Sequence, residues 1–290
     1  MNGPVDGSGM PPEDSQNAPA LQSNIMAGRR GLIMGVANDH SIAWGIAREL
    51  RRHGAELAFT YQNDAIAKRV APLAAEVGSD ILIPCDVENQ DSIDALFDRL
   101  KEAWGGLDFL VHAVAYSDKE ELKGKYLNTT RDNFLRTMDV SCYSFTALAR
   151  AAAPLMTRGG ALVTLTYSGS TRVMPNYNVM GVAKAALEAS VRYLASNLGP
   201  QGIRVNAISA GPMRTLAGSA IGGARHVYKW NQRHSPLQRT VSLEDVGGAA
   251  LYLLSGLSGG VTGEIHHVDS GYNIVGLPWP ENLEPDVNRD

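Results

Sequence analysis

The stretch Gly31-Leu32-Ile33-Met34-Gly35-Val36-Ala37-Asn38-Asp39-His40-Ser41-Ile42-Ala43-Trp44-Gly45 decides the fold. Its first five residues form a short apolar run that reads as a buried strand. Residues 36–41 are a loop, and a helix then runs from Ile42 to His53 until Gly54 closes it. A buried strand, a glycine-hinged loop and a helix, in that order, open a βαβ unit.

Working outward, the same alternation recurs. Strands are expected at Ala55–Thr60, Asp80–Pro84, Asp108–His112, Ala161–Thr166, Val205–Ser209 and Ile265–Val268. Between them lie expected helices at Asp64–Glu76, Ser92–Trp104, Arg131–Met156 (Thr130 as its N-cap), Asn178–Leu198 and Leu243–Leu254. This predicts an α/β fold: a doubly wound, Rossmann-like, seven-stranded parallel sheet flanked by helices, in a single domain over residues 30–278. Residues 1–29, rich in Pro, Gly, Asn and Ser, are expected to be a disordered tail, and 279–290 a C-terminal tail. Two connections are long. Ser117–Thr129 is a polar excursion. Ala210–Val241 holds Met213, Leu216, Ile221, Val227, Tyr228 and Trp230, too apolar for a linker, and reads as a partly helical, substrate-covering flap.

Composition narrows the function classes. With 44% hydrophobic and 19% charged residues in 290, the chain can bury a large core. A formal charge of -4 argues against a dedicated nucleic-acid binder, which needs a basic excess. No apolar run reaches membrane-span length, and residues 1–25 lack the basic and apolar regions of a secretory signal. Two cysteines, Cys85 and Cys142, exclude a disulfide framework or a cysteine-rich zinc site, so a reducing, cytoplasmic setting is expected.

The chemistry gathers where the expected strands end. Gly35, having no Cβ, can lie close to a pyrophosphate, and Gly45 can let its helix pack on the sheet. Ser41 and Ile42 at the helix start can offer donors to phosphate oxygens, although the spacing is not the usual G-x-G-x-x-G. After the second strand, Thr60-Tyr61-Gln62-Asn63 has neither an acid for a ribose diol nor an arginine for a 2′-phosphate. No cation follows until Lys68, which favours NADH over NADPH and leaves the Gln62 amide to lie against adenine. Asp86-Val87 either receives the adenine edge, or Asp86 caps the following turn.

Tyr167 follows the fifth strand, and Tyr177 and Lys184 are two helical turns apart on one face, roughly 10 Å along the axis. A ribose can bridge that gap. Lys184 would then fix the nicotinamide ribose and lower the tyrosine pKa, while Tyr177 donates to a substrate oxygen. Elsewhere the bland roles are favoured. His266 and His267 are strand neighbours that face opposite ways, and no metal site is expected. His112 reads as a packed, hydrogen-bonded core-edge residue, Trp44 as packing and Asp269 as a turn cap.

Three segments together carry a specific resemblance: Gly35–Gly45, Tyr177-Asn178-Val179-Met180-Gly181-Val182-Ala183-Lys184, and Ala210-Gly211-Pro212-Met213-Arg214-Thr215-Leu216-Ala217. From about Gly31 to Pro278 the chain resembles the bacterial NADH-dependent enoyl-acyl-carrier-protein reductases, a divergent branch of the short-chain dehydrogenase/reductases. Most of that superfamily has its lysine four residues after the tyrosine, where this chain has Gly181.

The resemblance implies reduction of the C2–C3 double bond of trans-2-enoyl thioesters by NADH, in the elongation cycle of fatty-acid synthesis. It places the nicotinamide ribose on Lys184, the substrate carbonyl on Tyr177, and Tyr167 on the acyl pocket. Gly35, Ser41, Ile42, Gln62, Asp86, Val87, Ala113, Met213 and Thr215 match cofactor contacts. Ala115, where many relatives have glycine, and Tyr116 edge the substrate pocket. The implied partner is an acidic acyl-carrier protein docking near the basic residues Arg214, Arg225, Lys229 and Arg233. The implied assembly is a homotetramer using the helices 131–156 and 178–198.

Overall fold

The computed structural model describes residues 23–215 and 223–278. Seven strands form one parallel sheet in the order β3-β2-β1-β4-β5-β6-β7. They are β1 (Arg30–Met34), β2 (Glu56–Tyr61), β3 (Leu82–Pro84), β4 (Phe109–His112), β5 (Gly160–Thr166), β6 (Ile203–Ala210) and β7 (Ile265–Val268). β1 lies between β2 and β4, with Met34 paired to His112, so the strand order reverses beside it. That reversal opens a crevice at the carboxyl edge, where ligands bind in such sheets. Strands at the centre read as continuous apolar runs because helices cover both faces.

One face carries α1 (Ile42–Arg52), α2 (Asp64–Glu76) and a late helix, α8 (Leu243–Leu254). Its core joins Trp44, Ile46, Phe59, Val246 and Leu253, with Trp44 tilted against Phe59 at 6.5 Å between centroids. The other face carries α3 (Gln90–Trp104), α5 (Ser144–Ala152) and α6 (Asn178–Leu198) around Leu96, Phe145, Leu148, Leu187 and Val191. Helix starts follow the side chains able to cap them. Asn89 Oδ1 accepts from the Asp91 and Ser92 amides, and Ser242 with Asp245 forms a reciprocal box that opens α8.

Three expectations are corrected. The long helix over 131–156 is not one α-helix: α4 (Arg131–Met138) passes into a π-turn (Asp139–Tyr143), then α5, then a 3-10 turn (Ala153–Leu155). The extra residue in the wide turn lets Ser141 Oγ bond the backbone N–H and C=O of Tyr116, each at 3.0 Å. Gly45 faces Leu243 of α8, not the sheet; a Cβ there would come within 2.7 Å of the Leu243 Cβ. The ordered chain also begins before residue 30. Met26 is wholly buried with Ile33, Leu50 and Phe109, and its amide donates to the His53 carbonyl. The rest of the expected N-terminal tail (1–22), the C-terminal tail (279–290) and flap residues 216–222 lie outside the described residues.

Within the expected flap, α7 (Ala224–His234) is helical, with Trp230 donating to the Tyr272 hydroxyl and its ring tilted against that of His234 at 4.1 Å between centroids. The excursion after β4 is tied to α4 through Asn133, which binds Asp118 and Glu121, and to the start of α6 through Asn178. Asn178 Nδ2 reaches the carbonyls of Glu121 and Leu122 at 3.1 and 3.0 Å, with that of Gly124 at 3.4 Å.

Candidate active site

Chain topology brings the expected cofactor residues to one edge. Gly35 follows β1, Gln62 follows β2, Asp86 and Val87 follow β3, Ala113 follows β4, and Met213 and Thr215 follow β6. Gly35 has φ +94, and a Cβ on it would stand 2.0 Å from the Ala113 carbonyl oxygen. Backbone therefore meets backbone where β1 and β4 end, the close approach expected of a pyrophosphate-binding turn. Ser41 begins α1 but does not cap it. Its hydroxyl accepts from the amides of Ala37 and Asn38 at 3.0 and 3.1 Å and so shapes the loop. The first-turn amides of α1, Ile42 among them, get no side-chain cap, which suits an anion at the helix start.

Other cofactor candidates are placed as follows. Gln62 is exposed beyond β2, and the next cations, Lys68 and Arg69, are exposed on α2. Asp86 does cap a turn, accepting from the Glu88 amide at 3.1 Å, and stands at the crevice edge as well. Val87 is half-buried against one core, and Ala113 and Met213 against the other. The Thr215 amide donates to the Met213 carbonyl, turning the chain at the start of the flap. These residues fit an extended dinucleotide lying across the strand ends.

The expected reaction centre stands at the end of β5. Tyr177, the residue before α6, is 7% exposed, and its ring meets that of Tyr167 edge-on at 5.2 Å between centroids. Leu122, Val179 and Met180 complete the apolar setting, with Phe134 and Met174 at its margin. Burial, then the neighbouring Tyr167 and Glu188, push the Tyr177 pKa far up, and burial raises that of Tyr167 to about 12. The expected lowering of the tyrosine pKa by Lys184 is thus overturned: desolvation wins, and Tyr177 is held as a neutral hydroxyl donor.

Lys184 lies one face along α6, 7% exposed, with Nζ donating to the Leu165 carbonyl at 2.8 Å. Burial lowers its pKa to about 8, opposed by Cys142 and Glu188. Gly181 explains why no lysine sits four residues after Tyr177. The turn Ser168–Ser170 presses on α6, and a Cβ at Gly181 would stand 2.7 Å from the Gly169 carbonyl oxygen. A lysine there would push the turn away from the Tyr177 ring.

The pair expected to edge the substrate pocket follows β4. Ala115 and Tyr116 are exposed, and the Arg136 guanidinium stands 4.3 Å above the Tyr116 ring while forming a two-point ion pair with Glu88. His112 is an internal brace, bonded to Thr164 Oγ1 at 2.8 Å and Ser144 Oγ at 2.9 Å. Asp269 binds the amides of Gly271 and Asn273, as a turn cap should. Among the described residues, no group of three His, Cys, Asp or Glu side chains is placed to hold a metal.

Two functional candidates escaped the sequence reading. Asn178, beside Tyr177, ties down the loop after β4. Glu188 is a buried carboxylate one turn beyond Lys184, accepting from Thr166 Oγ1 at 2.6 Å. Its signal was present, because Met180, Ala183, Leu187 and Val191 mark the inward face of α6 on which Glu188 falls.

Comparison with known proteins agrees with this geometry. A family profile described as enoyl-(acyl carrier protein) reductase matches residues 35–273. The "Enoyl-[acyl-carrier-protein] reductase [NADH] 2" of Rhizobium meliloti is 68% identical over 90% of this chain and 97% of its own. The FabI crystal structure from Candidatus Liberibacter asiaticus superposes with a TM-score of 0.87 at 62% identity, covering 89% of this chain and all of that one. An Anaplasma phagocytophilum enoyl-(acyl-carrier-protein) reductase, crystallised in complex with NAD, gives 0.86 at 57% identity over 89% and 98%. With its tyrosine pair, displaced lysine and glycine-lined crevice in one sheet edge, and these likenesses along nearly its whole described length, the chain belongs to the enoyl-acyl-carrier-protein reductase family.

Proposed function

We propose that the chain reduces the C2–C3 double bond of trans-2-enoyl-acyl-carrier-protein thioesters with NADH, using Tyr177, Lys184 and Tyr167 at the end of β5. The observation that carries these roles is that Tyr177 and Lys184 are both buried, two turns apart at the start of α6, with the Tyr177 ring edge-on to Tyr167 and Lys184 Nζ on the Leu165 carbonyl of β5. Gly35, Ser41 and Ile42 face the pyrophosphate, Gln62, Asp86 and Val87 the adenosine, and Ala113, Met213 and Thr215 the nicotinamide half. Ala115 and Tyr116 edge the acyl pocket.

NADH, when bound, supplies the hydride that reaches C3 of the substrate. The negative charge that develops on the thioester oxygen is met by the Tyr177 hydroxyl, which is kept protonated by its burial. Lys184, whose Nζ is held by the Leu165 carbonyl, would bind the nicotinamide ribose and add positive field to the same place. Tyr167 supports the Tyr177 ring edge-on and shapes the pocket wall. A proton returned to C2, from Tyr177 or from solvent passing Lys184, completes the reduction.

The reading extends to partners. Arg225, Lys229 and Arg233 recur every fourth residue along the exposed side of α7, which suits an acidic carrier protein. Residues 210–241 would then cover the acyl chain. A homotetramer built on the 131–156 and 178–198 helices would take in Leu135, Tyr143 and Tyr193, which are 54%, 50% and 75% exposed in the single chain. The setting is cytoplasmic, in keeping with two buried free thiols.

The test is the fall in NADH absorbance with an enoyl thioester, beside a 3-ketoacyl thioester and NADPH. Rapid turnover of the enoyl substrate, with a higher kcat/KM for NADH than NADPH, is expected. Faster ketoacyl reduction would overturn the substrate assignment, and a higher value for NADPH the cofactor preference.

A further inference from the structure

Lys184 and Glu188 are both 7% exposed and stand one helical turn apart on the inner face of α6. Each grips one of the last two residues of β5. Lys184 Nζ donates to the Leu165 carbonyl at 2.8 Å, and Thr166 Oγ1 donates to Glu188 Oε1 at 2.6 Å. The next residue along is Tyr167. An isolated buried carboxylate is costly, and one hydroxyl donor does not repay it. A glutamine could take the same Thr166 bond without that cost, so the charge itself calls for an explanation.

The groups around Lys184 supply one. His112 on β4 is neutral, its pKa pushed down to about 3 by burial and by Lys184 itself. The Cys142 thiol in the π-turn is raised by burial, bonds Ser190 and stays protonated, and Tyr177 is a neutral phenol. Among these described neighbours Glu188 is the one formal anion. We propose that Glu188 is a positioning residue for the reduction, whose Thr166-anchored carboxylate keeps Lys184 an ammonium ion and holds α6 against the end of β5. The proposal rests on the reading that Lys184 binds the cofactor ribose. Burial drives Lys184 toward the neutral amine, opposed by the neighbouring Cys142 and then by Glu188.

The test is NADH affinity measured by calorimetry on the full chain, from about pH 6 to about pH 10, which reads Lys184 without turnover. In the wild-type chain, affinity should weaken as pH rises through about 8. In Glu188→Gln the Thr166 acceptor remains but the charge is gone. The weakening should begin about one pH unit lower, giving roughly fivefold poorer affinity near pH 8, approaching about tenfold above about pH 9, and little change near pH 6. Glu188→Met, of similar length and without charge, should move the transition in the same direction, so a folding defect of the glutamine variant does not decide the matter. Glu188→Asp retains the charge and should keep the wild-type transition. In Lys184→Arg the transition should vanish.

An unchanged transition in both neutral variants, or an equal loss at every pH, would overturn the role of Glu188 alone. A transition persisting in Lys184→Arg would instead remove Lys184 as the titrating ribose ligand, and the proposal with it.

Discussion

Gly35→Ala probes the crevice at its tightest point. Gly35 has φ +94, a backbone region that costs a residue with a Cβ about 1–2 kcal/mol. The new methyl would also stand 2.0 Å from the Ala113 oxygen and 2.6 Å from its carbonyl carbon. Ordinary contact begins near 3.4 Å, so the end of β1 and the end of β4 must part by more than an ångström. That movement strains the Ala113 N–H to Met34 carbonyl bond at 3.2 Å, on the pair of strands that forms the crevice. Overpacking adds about 1–3 kcal/mol, for a total of about 2–5 kcal/mol of lost stability. Because the proposed pyrophosphate turn rests against the displaced carbonyl, NADH affinity should fall by at least about tenfold. Gly105→Ala is the control: Gly105 has φ +70 but nothing near its Cβ position, so only about 1 kcal/mol should be lost and affinity should be unchanged. Urea midpoints and NADH titrations measure both. Gly35→Ala behaving like Gly105→Ala would refute the close approach as the basis of the proposed pyrophosphate turn.

Asn178→Ala and Asn178→Gly both remove the amide that holds Glu121, Leu122 and Gly124. Glycine alone suits the φ of +38 at this position, so both should raise KM for the enoyl thioester several-fold with NADH affinity kept, while only alanine adds backbone strain. Faster hydrogen exchange at 121–124 should accompany the change, and an unaltered KM in both would contradict the mooring. His112 gives a pH signature. Its folded pKa, about 3, lies below the ordinary 6.5, so its contribution is complete above about 6.5 and is lost as pH falls toward 3. Stability should drop by up to about 1.4 kcal/mol per pH unit in that window, and His112→Gln should flatten this part of the slope. Equal slopes for the two proteins between about pH 6 and pH 4 would show that His112 is not buried neutral.

Most of the sheet was readable because parallel strands covered on both faces leave apolar runs between helices, and helices close at residues such as Gly54 and Gly105. The π-turn at Asp139–Tyr143 was not, since hydrophobic spacing through Val140, Cys142 and Phe145 does not distinguish a wide turn from a regular one. Its polar residues carried the clue: Ser141 and Ser144 are fully buried because they brace Tyr116 and His112. Met26 escaped notice because one anchoring side chain hardly alters the composition of a polar segment.

At the site, Tyr177, Lys184 and Gly35 were legible from type and spacing. Their environment was not. Whether Lys184 or burial governs the Tyr177 hydroxyl depends on Leu122, Val179 and Met180 closing around it, and Leu122 arrives from more than fifty residues away. The likeness along 35–273 gives the family and the reaction, while the division of labour between the two tyrosines remains a matter of chemistry.

Single-turnover reduction of an enoyl thioester at saturating NADH, in Tyr177→Phe and Tyr167→Phe, tests that division directly. Both variants keep the ring, so each should keep its fold and NADH affinity, which are checked first. Loss of the Tyr177 hydroxyl should slow the step by up to about 100- to 1000-fold, the usual range for one oxyanion donor, while Tyr167→Phe retains most of the rate. A wild-type rate in Tyr177→Phe, with collapse in Tyr167→Phe, would contradict the account and exchange the two roles.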